Sequence, residues 1–342
     1  MSDASAKPPE KPTGFWDTIL TATPIVLTVL STAFAGLSSS EMTRSMYYRS
    51  LAAQHQSKAG DQWAFFQAKR TRGTSLETTA DLLESLGHPE LFDPHRTDEL
   101  CAAALQAAEK SEGGSAPRLK LAREWFAALR ADPKAWGPLL RLAALAVPQM
   151  EPTTLADARV RAAIDAAVVD VRQRRTEAET APTIGTLAPA EIEAAIGNAE
   201  HDADAFDQAM KPISDAIKRY REALILLAAS TPAGSAREAV DRHGASFRLA
   251  AFQFDAKRLR REAEFNQRAA ELYEVRVRRS GLESDRHRHR SELFFYSMLG
   301  AQFGVTVASL ALARQRRSLL WLLAAAAGVT SLAFTGYVYV TR

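Results

Sequence analysis

The chain of 342 residues contains one cysteine, Cys101. No intramolecular disulfide can form, so the fold is held without covalent cross-links, and a lone thiol suits a reducing compartment. Residues that favour strands are scarce: aromatics make up 8%, Val and Ile are few, and apolar and polar positions nowhere alternate over the length of a strand. The common signatures of chemistry are missing too. There is no glycine-rich phosphate loop, no nucleophile elbow and no HExxH zinc motif. Cys101 has no neighbouring His or basic group to activate it. Glu200-His201-Asp202-Ala203-Asp204 and His243 lack a partner cluster at ligand spacing and read as a solvated helix face. No catalytic, cofactor-binding or metal-binding residue is assigned, and the chain is read as a non-enzyme. The formal net charge is only +3, which leaves local patches to carry any electrostatic function.

What the chain has instead is alanine. Ala loses no side-chain entropy in a helix, so this bias points to an all-α fold. Three apolar stretches, Ile19–Leu37, Leu293–Ala313 and Leu319–Val340, contain no charged residue. Each is close to the roughly 20 residues a membrane-spanning helix needs. The first is longer than a usual signal-peptide core and lacks a clear cleavage site, so it is read as an uncleaved anchor. The last two form a hairpin closed by Arg314-Gln315-Arg316-Arg317. The resulting plan is an all-α chain with three transmembrane helices and an elongated helical-bundle or coiled-coil soluble domain. Residues 1–17 form a disordered tail, 18–37 the first span, 38–87 a membrane-proximal helix, 88–187 a region of short helices, 188–291 an antiparallel helix pair, and 292–342 the membrane hairpin.

Within the middle, Thr153–Glu177 reads as a helix with Val160, Ile164, Ala167 and Val171 on one stripe, and Ala181–Pro189 as a connector. The strongest periodicity follows. Ile192, Ile196, Ala199, Ala203, Phe206, Met210, Ile213, Ile217, Tyr220, Leu224 and Leu227 alternate spacings of four and three for about five heptads. Pro212 lies inside this stripe and removes one backbone donor, so a kink is expected there. After the turn Thr231–Ser235 a second stripe runs Leu249, Phe252, Ala256, Leu259, Ala263, Asn266, Ala270, Tyr273 and Val277. Two long helices joined by a turn pack as antiparallel neighbours, either as a true coiled coil or as ordinary bundle core.

Candidate functional residues are for contact rather than chemistry. Trp63, Phe65 and Phe66 place three aromatics in four helical positions. Trp63 and Phe66 share a face with Ala59 and are expected to dock on the second stripe helix, while Phe65 points elsewhere; a partner-protein surface is the alternative. In the hairpin, Gly300, Gly304 and Ala308, and likewise Ala324 and Gly328, form small-residue ladders, expected to pack on each other, on the first span or on a second copy. Gln302, the only strongly polar side chain in its span, is expected to hydrogen-bond a neighbouring helix. Arg286, Arg288 and Arg290, together with Arg314, Arg316 and Arg317, read as basic collars for anionic lipid headgroups. Arg172–Arg175 and Arg258–Arg261 have acidic residues close by, which argues against a nucleic-acid surface. By Lys/Arg count the domain side is favoured as cytoplasmic, although the hairpin loop argues the reverse.

Asp61, Gln62, Trp63, Ala64, Gln67, Ala68 and Lys69, with Phe65 and Phe66 where the family has tyrosines, resemble the Asp-Gln-Trp-Ala-Tyr-Tyr-Gln-Ala-Lys run of a family of bacterial membrane proteins known only as a domain of unknown function. Leu82–Gly87 is similar to the segment that follows in that family, and Gln302, the Arg314–Arg317 loop and Trp321 are similar to its hairpin. The resemblance covers Trp16–Gly87 and Leu249–Val340 and leaves 88–244 as an insertion. It implies a multi-pass protein of the bacterial inner membrane and no catalytic residue or cofactor. The function expected is that of a membrane-anchored coiled-coil scaffold or accessory subunit, with membrane lipids and other membrane-protein subunits or itself as partners and no nucleic acid. A homo-oligomeric channel or membrane effector, and a membrane sensor relaying through its coiled coil, are the alternatives.

Overall fold

The computed structural model describes residues 14–87, 90–110, 116–313 and 319–340. The tail up to residue 13 and the loop arginines Arg314, Arg316 and Arg317 lie outside them. The chain is all-α, with no strand among the described residues. The helices are α1 (Phe15–Gly87), α2 (Thr97–Glu109), α3 (Ala116–Ala131), α4 (Pro133–Ala143), α5 (Ala158–Arg172), α6 (Glu177–Thr186), α7 (Pro189–Ser230), α8 (Ser235–Ala313) and α9 (Leu319–Val340), with one 3-10 turn at Pro94–Arg96 before α2. Helix α1 starts at Phe15, inside the expected tail. Stretches of α1 and α8, and the whole of α9, are long and apolar enough to cross a membrane.

Contacts divide the chain into two units, Met1–Gln54 with Val277–Arg342, and His55–Arg276. Helices α1 and α8 contribute to both.

In the unit His55–Arg276, α7 bears out its stripe. Ile192, Ile196, Ala199, Phe206, Met210, Ile213, Ile217, Tyr220, Leu224 and Leu227 are all buried, and Ala203 is half-buried. Pro212 sits inside one continuous helix. Helix α7 also buries Ala195, Ala216 and Ala223, a band wider than a two-stranded seam. The reason is that α3 and α4 pack on α7 as well, with Leu119, Phe126, Leu139 and Leu142 joining its core. Helix α8 runs antiparallel to α7: Phe265 meets Phe206, and Phe247 meets Tyr220. It runs antiparallel to α1 as well, with Asn266 donating to Gln62 at 2.8 Å and Glu262 pairing Lys69 at 3.2 Å. A helix sandwiched this way buries two faces, which is why α8 hides Phe247, Phe254, Phe265 and Leu272 in addition to its predicted stripe.

Two local assignments are corrected. The expected connector Ala181–Pro189 is mostly helix α6, and the expected helix Thr153–Glu177 shrinks to α5. The signal for α6 is a capping box: Thr176 and Glu179 satisfy each other's backbone donors, starting a new helix where the previous one ends. The residues before α5 are irregular and tied to α7 by Asp202, which accepts from both the amide and the hydroxyl of Thr153.

Two buried polar clusters inside this unit are closed by hydrogen bonds. Glu271 is fully buried and accepts from Arg172 Nε at 2.6 Å, Arg172 Nη2 at 2.8 Å and Gln267 Nε2 at 2.8 Å. Tyr220 and His243 share a hydrogen bond of 2.8 Å within an aromatic cluster with Phe92 and Phe247. Burial pushes the His243 imidazole down to about 4, with Arg96 adding to the effect, and burial lowers His55 as well.

Two outcomes are expected. Arg172→Met strands the buried Glu271 carboxylate and costs about 2–3 kcal/mol, less than for a wholly buried pair because Arg172 is half exposed; Arg172→Met/Glu271→Met recovers most of the loss in thermal unfolding of the full chain. For His243, folding favours the neutral form, so its contribution is complete above the unfolded value of 6.5 and is lost as pH falls toward about 4. Melting temperature measured from pH 7 to pH 4 should decline over that window, and less steeply in His243→Gln.

Candidate functional site

The unit built from residues 1–54 and 277–342 rests on side chains too small to look like a core. Ser31, Ser38 and Ser45 recur every seven residues on α1, and Ser284 and Ser291 do so on α8. Ser38 Oγ donates to the Ser291 carbonyl at 2.9 Å, and Ser291 Oγ returns the bond to the Ser38 carbonyl at 2.8 Å. Ser45 and Ser284 hydroxyls lie 3.1 Å apart, and Ser284 also donates to the Ser45 carbonyl at 3.0 Å. Reciprocal side-chain-to-backbone bonds of this kind require the two helices to touch along their backbones, which only small residues allow.

The glycine ladder is used within the chain. A Cβ at Gly300 would lie 2.5 Å from Ser331 Oγ, and one at Gly328 would lie 2.5 Å from Leu27 Cδ2. A Cβ at Gly304 would meet Leu27 Cδ1 at 3.2 Å and the Ala324 carbonyl at 3.3 Å. Leu27, only 4% exposed, fills the hole between α8 and α9 together with Val307, Ala308 and Ala324. The sequence reading missed Leu27 and Ser331; their only signal was their position opposite glycines. Trp321 Nε1 adds a bond to Thr23 Oγ1 at 3.2 Å. The expectation for Gln302 is not met: it is exposed, and among the described residues its side chain makes no hydrogen bond to a neighbouring helix. At 100° per residue it lies about 200° round the helix from Gly300, so the ladder and the glutamine face opposite ways.

Of the basic collar, Arg286 and Arg288 are exposed and Arg290 half-buried. Arg288 pairs with Glu292 at 3.1 Å and Arg286 lies 3.8 Å from Glu283, so part of the positive charge is offset locally. Between them His287 turns inward, its Nδ1 2.6 Å from Glu41 and its ring stacked on Tyr48 at 5.4 Å. The other arginine runs are also paired, Arg175 with Asp170, Arg258 with Glu262, Arg260 with Glu77 and Arg261 with Glu264.

The aromatic motif divides as the helix pitch dictates. Ala59 is fully buried; Trp63 and Phe66 are half-buried and meet edge to face at 5.5 Å. Trp63 Nε1 donates to Glu274 of α8 at 2.6 Å. Trp63 is therefore tied to α8, and Phe66 packs on Trp63 and under the Arg70 guanidinium. Phe65 is not: it stands 55% exposed at the rim of a groove of about 430 Å³. Gln62, Lys69 and Phe65 of α1 form one wall of this groove, and Glu200, Asp204 and Asp207 of α7 form the other. Asn266 in its lining is nine-tenths buried and leaves Oδ1 without a partner. Further along, His55 is only 7% exposed with neither ring nitrogen hydrogen-bonded; Glu193, 3.7 Å away, is held instead by Arg276 at 2.7 Å. Among the described residues no three His, Cys, Asp or Glu side chains gather as a metal site. Burial drives the Cys101 thiol up to about 11, which keeps it protonated.

The membrane-unit geometry predicts a contrast between two glycines of α9. Gly328→Val collides with Leu27 and should cost about 1–3 kcal/mol of stability, whereas Gly336→Val, with nothing within 4 Å of its Cβ, should leave the melting temperature of the detergent-solubilised chain unchanged.

No curated protein and no solved structure matches the chain. Residues 16–118 do match a family model, and they contain the Asp61–Lys69 run, all of α1 from Trp16 onward, and α2. The match ends before α7, α8 and α9, so the similarity read in the hairpin lies outside it. Over residues 16–118 the chain is similar to the family described as Domain of unknown function (DUF4337).

Proposed function

We propose that this protein is a membrane-anchored helical scaffold or accessory subunit that acts by binding another membrane-protein subunit through the groove beside Phe65. The observation that carries the reading is the division of labour inside the aromatic motif. Trp63 ties α1 to α8 and Phe66 packs on Trp63, while Phe65, on the same turn, is left in water beside a concave surface. Exposed aromatics at the edge of a groove are the usual anchors of protein interfaces. The acidic wall of Glu200, Asp204 and Asp207 suits a partner segment with basic side chains.

The setting we infer is the inner membrane of a bacterium, crossed three times, with residues 55–276 on the cytoplasmic side. Support comes from the three apolar helix stretches and from the excess of Lys and Arg on the domain side. The exposed Arg286 and Arg288 would then meet anionic headgroups. A homo-oligomeric channel draws less support, because Leu27, Ser331 and Ala324 already occupy the glycine faces on which it rested.

The test is a native pull-down of the full chain from membranes, with the wild type beside Phe65→Ala and Asp204→Lys/Asp207→Lys. The reading expects one defined set of co-purifying subunits, lost in both variants, while unfolding free energies stay within about 0.5 kcal/mol of wild type as befits surface changes. Recovery of the same set in undiminished amount with both variants would defeat it.

A further inference from the structure

A second concave site lies in the unit His55–Arg276, away from the Phe65 groove, and its chemistry is different. It is a cleft of about 350 Å³ between the last turns of α1, the residues around the 3-10 turn and the first turns of α8. That volume lies within the range of small-molecule sites. Its apolar wall is Leu83, Leu86, Leu91 and Leu100. Leu86 is 84% exposed and Leu91 93%. Leucines left this open around a concavity are costly unless something covers them.

The polar side of the cleft is cationic. Arg96 is neutralised by Glu90, which lines the same cleft. Arg242 and Arg248 also line it, and neither has an ion pair or hydrogen bond from its side chain among the described residues. His243 lines it too, only 6% exposed, and is held rigidly by Tyr220 at Nε2 and by the Phe92 ring. Its Nδ1 has no hydrogen-bond partner among the described residues. In the tautomer whose Nε2 accepts from the Tyr220 hydroxyl, Nδ1 carries the proton and can donate to a ligand acceptor.

We propose that this cleft binds a small amphipathic carboxylate, a medium-chain acyl acid, with its chain against the four leucines and its carboxylate held by Arg242, Arg248 and His243 Nδ1. A bare anion would leave the leucines uncovered. A neutral alkane or alcohol would leave the positive charge of the exposed Arg242 and Arg248 uncompensated by the ligand, and an amine would be repelled. Guanidinium groups are the preferred donors to carboxylates because their forked N–H groups match both oxygens. The site is independent of the Phe65 surface and stands whether or not that surface binds a partner.

The probe is decanoic acid carrying a diazirine on its chain, used with the full-length protein in phosphatidylcholine nanodiscs. After photolysis, labelled peptides are mapped. The proposal expects saturable labelling in residues 83–100 and 239–248, competed at least tenfold better by decanoate than by decan-1-ol. Arg242→Glu/Arg248→Glu, both exposed positions, should abolish it, and Ala245→Phe, which fills the cleft without touching charge, should do the same. Circular dichroism of both variants should match wild type; if charge reversal perturbs the fold, the Ala245→Phe variant and the alcohol competition decide. Labelling confined to the apolar spans would overturn the proposal. So would equal competition by decan-1-ol, or labelling undiminished in Ala245→Phe.

Discussion

Close approach between α1 and α8 is the constraint on which the rest depends. Both helices carry small residues at multiples of seven, with Phe66 on α1 and Val277 on α8 interrupting the series. On α1 these are Ser31, Ser38, Ser45, Ala59, Gly73 and Ala80, and on α8 they are Ala256, Ala263, Ala270, Ser284 and Ser291. In one unit the serines exchange hydrogen bonds with the opposite backbone. In the other, Ala59 and Ala80 are completely buried and a Cβ at Gly73 would touch the Ala256 carbonyl and Leu259 at 3.5 Å. Small side chains bury little apolar area each, but they let whole backbones meet, and the many short contacts add up. Once α1 and α8 are joined in this way, the second face of α8 is free for α7, and α7 in turn carries α3 and α4.

Charge plays a supporting part that follows from this packing. A helix buried on two sides has few ways to keep charged residues in water. Glu271 and Arg276 of α8 are accordingly buried, and each is met by a partner from another helix, Arg172 and Glu193. Such pairs add little net stability over apolar residues, but losing one member is costly, so they fix which helices pair and in what register. His243 and Tyr220 do the same near the start of α8.

The large-residue stripes were legible in the sequence because Ile, Leu, Phe and Met at heptad spacing seldom occur except on a buried helix face, and α7 buries nearly all of its stripe. The heptad on α1 was not legible. Serine, glycine and alanine carry almost no hydropathy signal, and only their spacing of seven marked them. The aromatic motif was half legible: helix pitch separates Phe65 from Trp63 and Phe66, but whether the outward residue meets water depends on where α7 lies. Gln302 misled because polarity inside an apolar span suggests a contact, whereas its position relative to Gly300 puts it on the opposite face. Helix α6 was missed because a capping box of two residues counts for little beside the proline and glycine that follow.

A register test addresses the central claim directly. In a Cys101→Ala background, Ser45→Cys/Ser284→Cys places two thiols where the serine hydroxyls are 3.1 Å apart. Mild oxidation in isolated membranes should cross-link this pair rapidly, and leave the mismatched pair Ser38→Cys/Ser284→Cys uncross-linked. Cross-linking of both pairs at equal rates, or of the mismatched pair alone, would contradict the backbone-close pairing of α1 with α8.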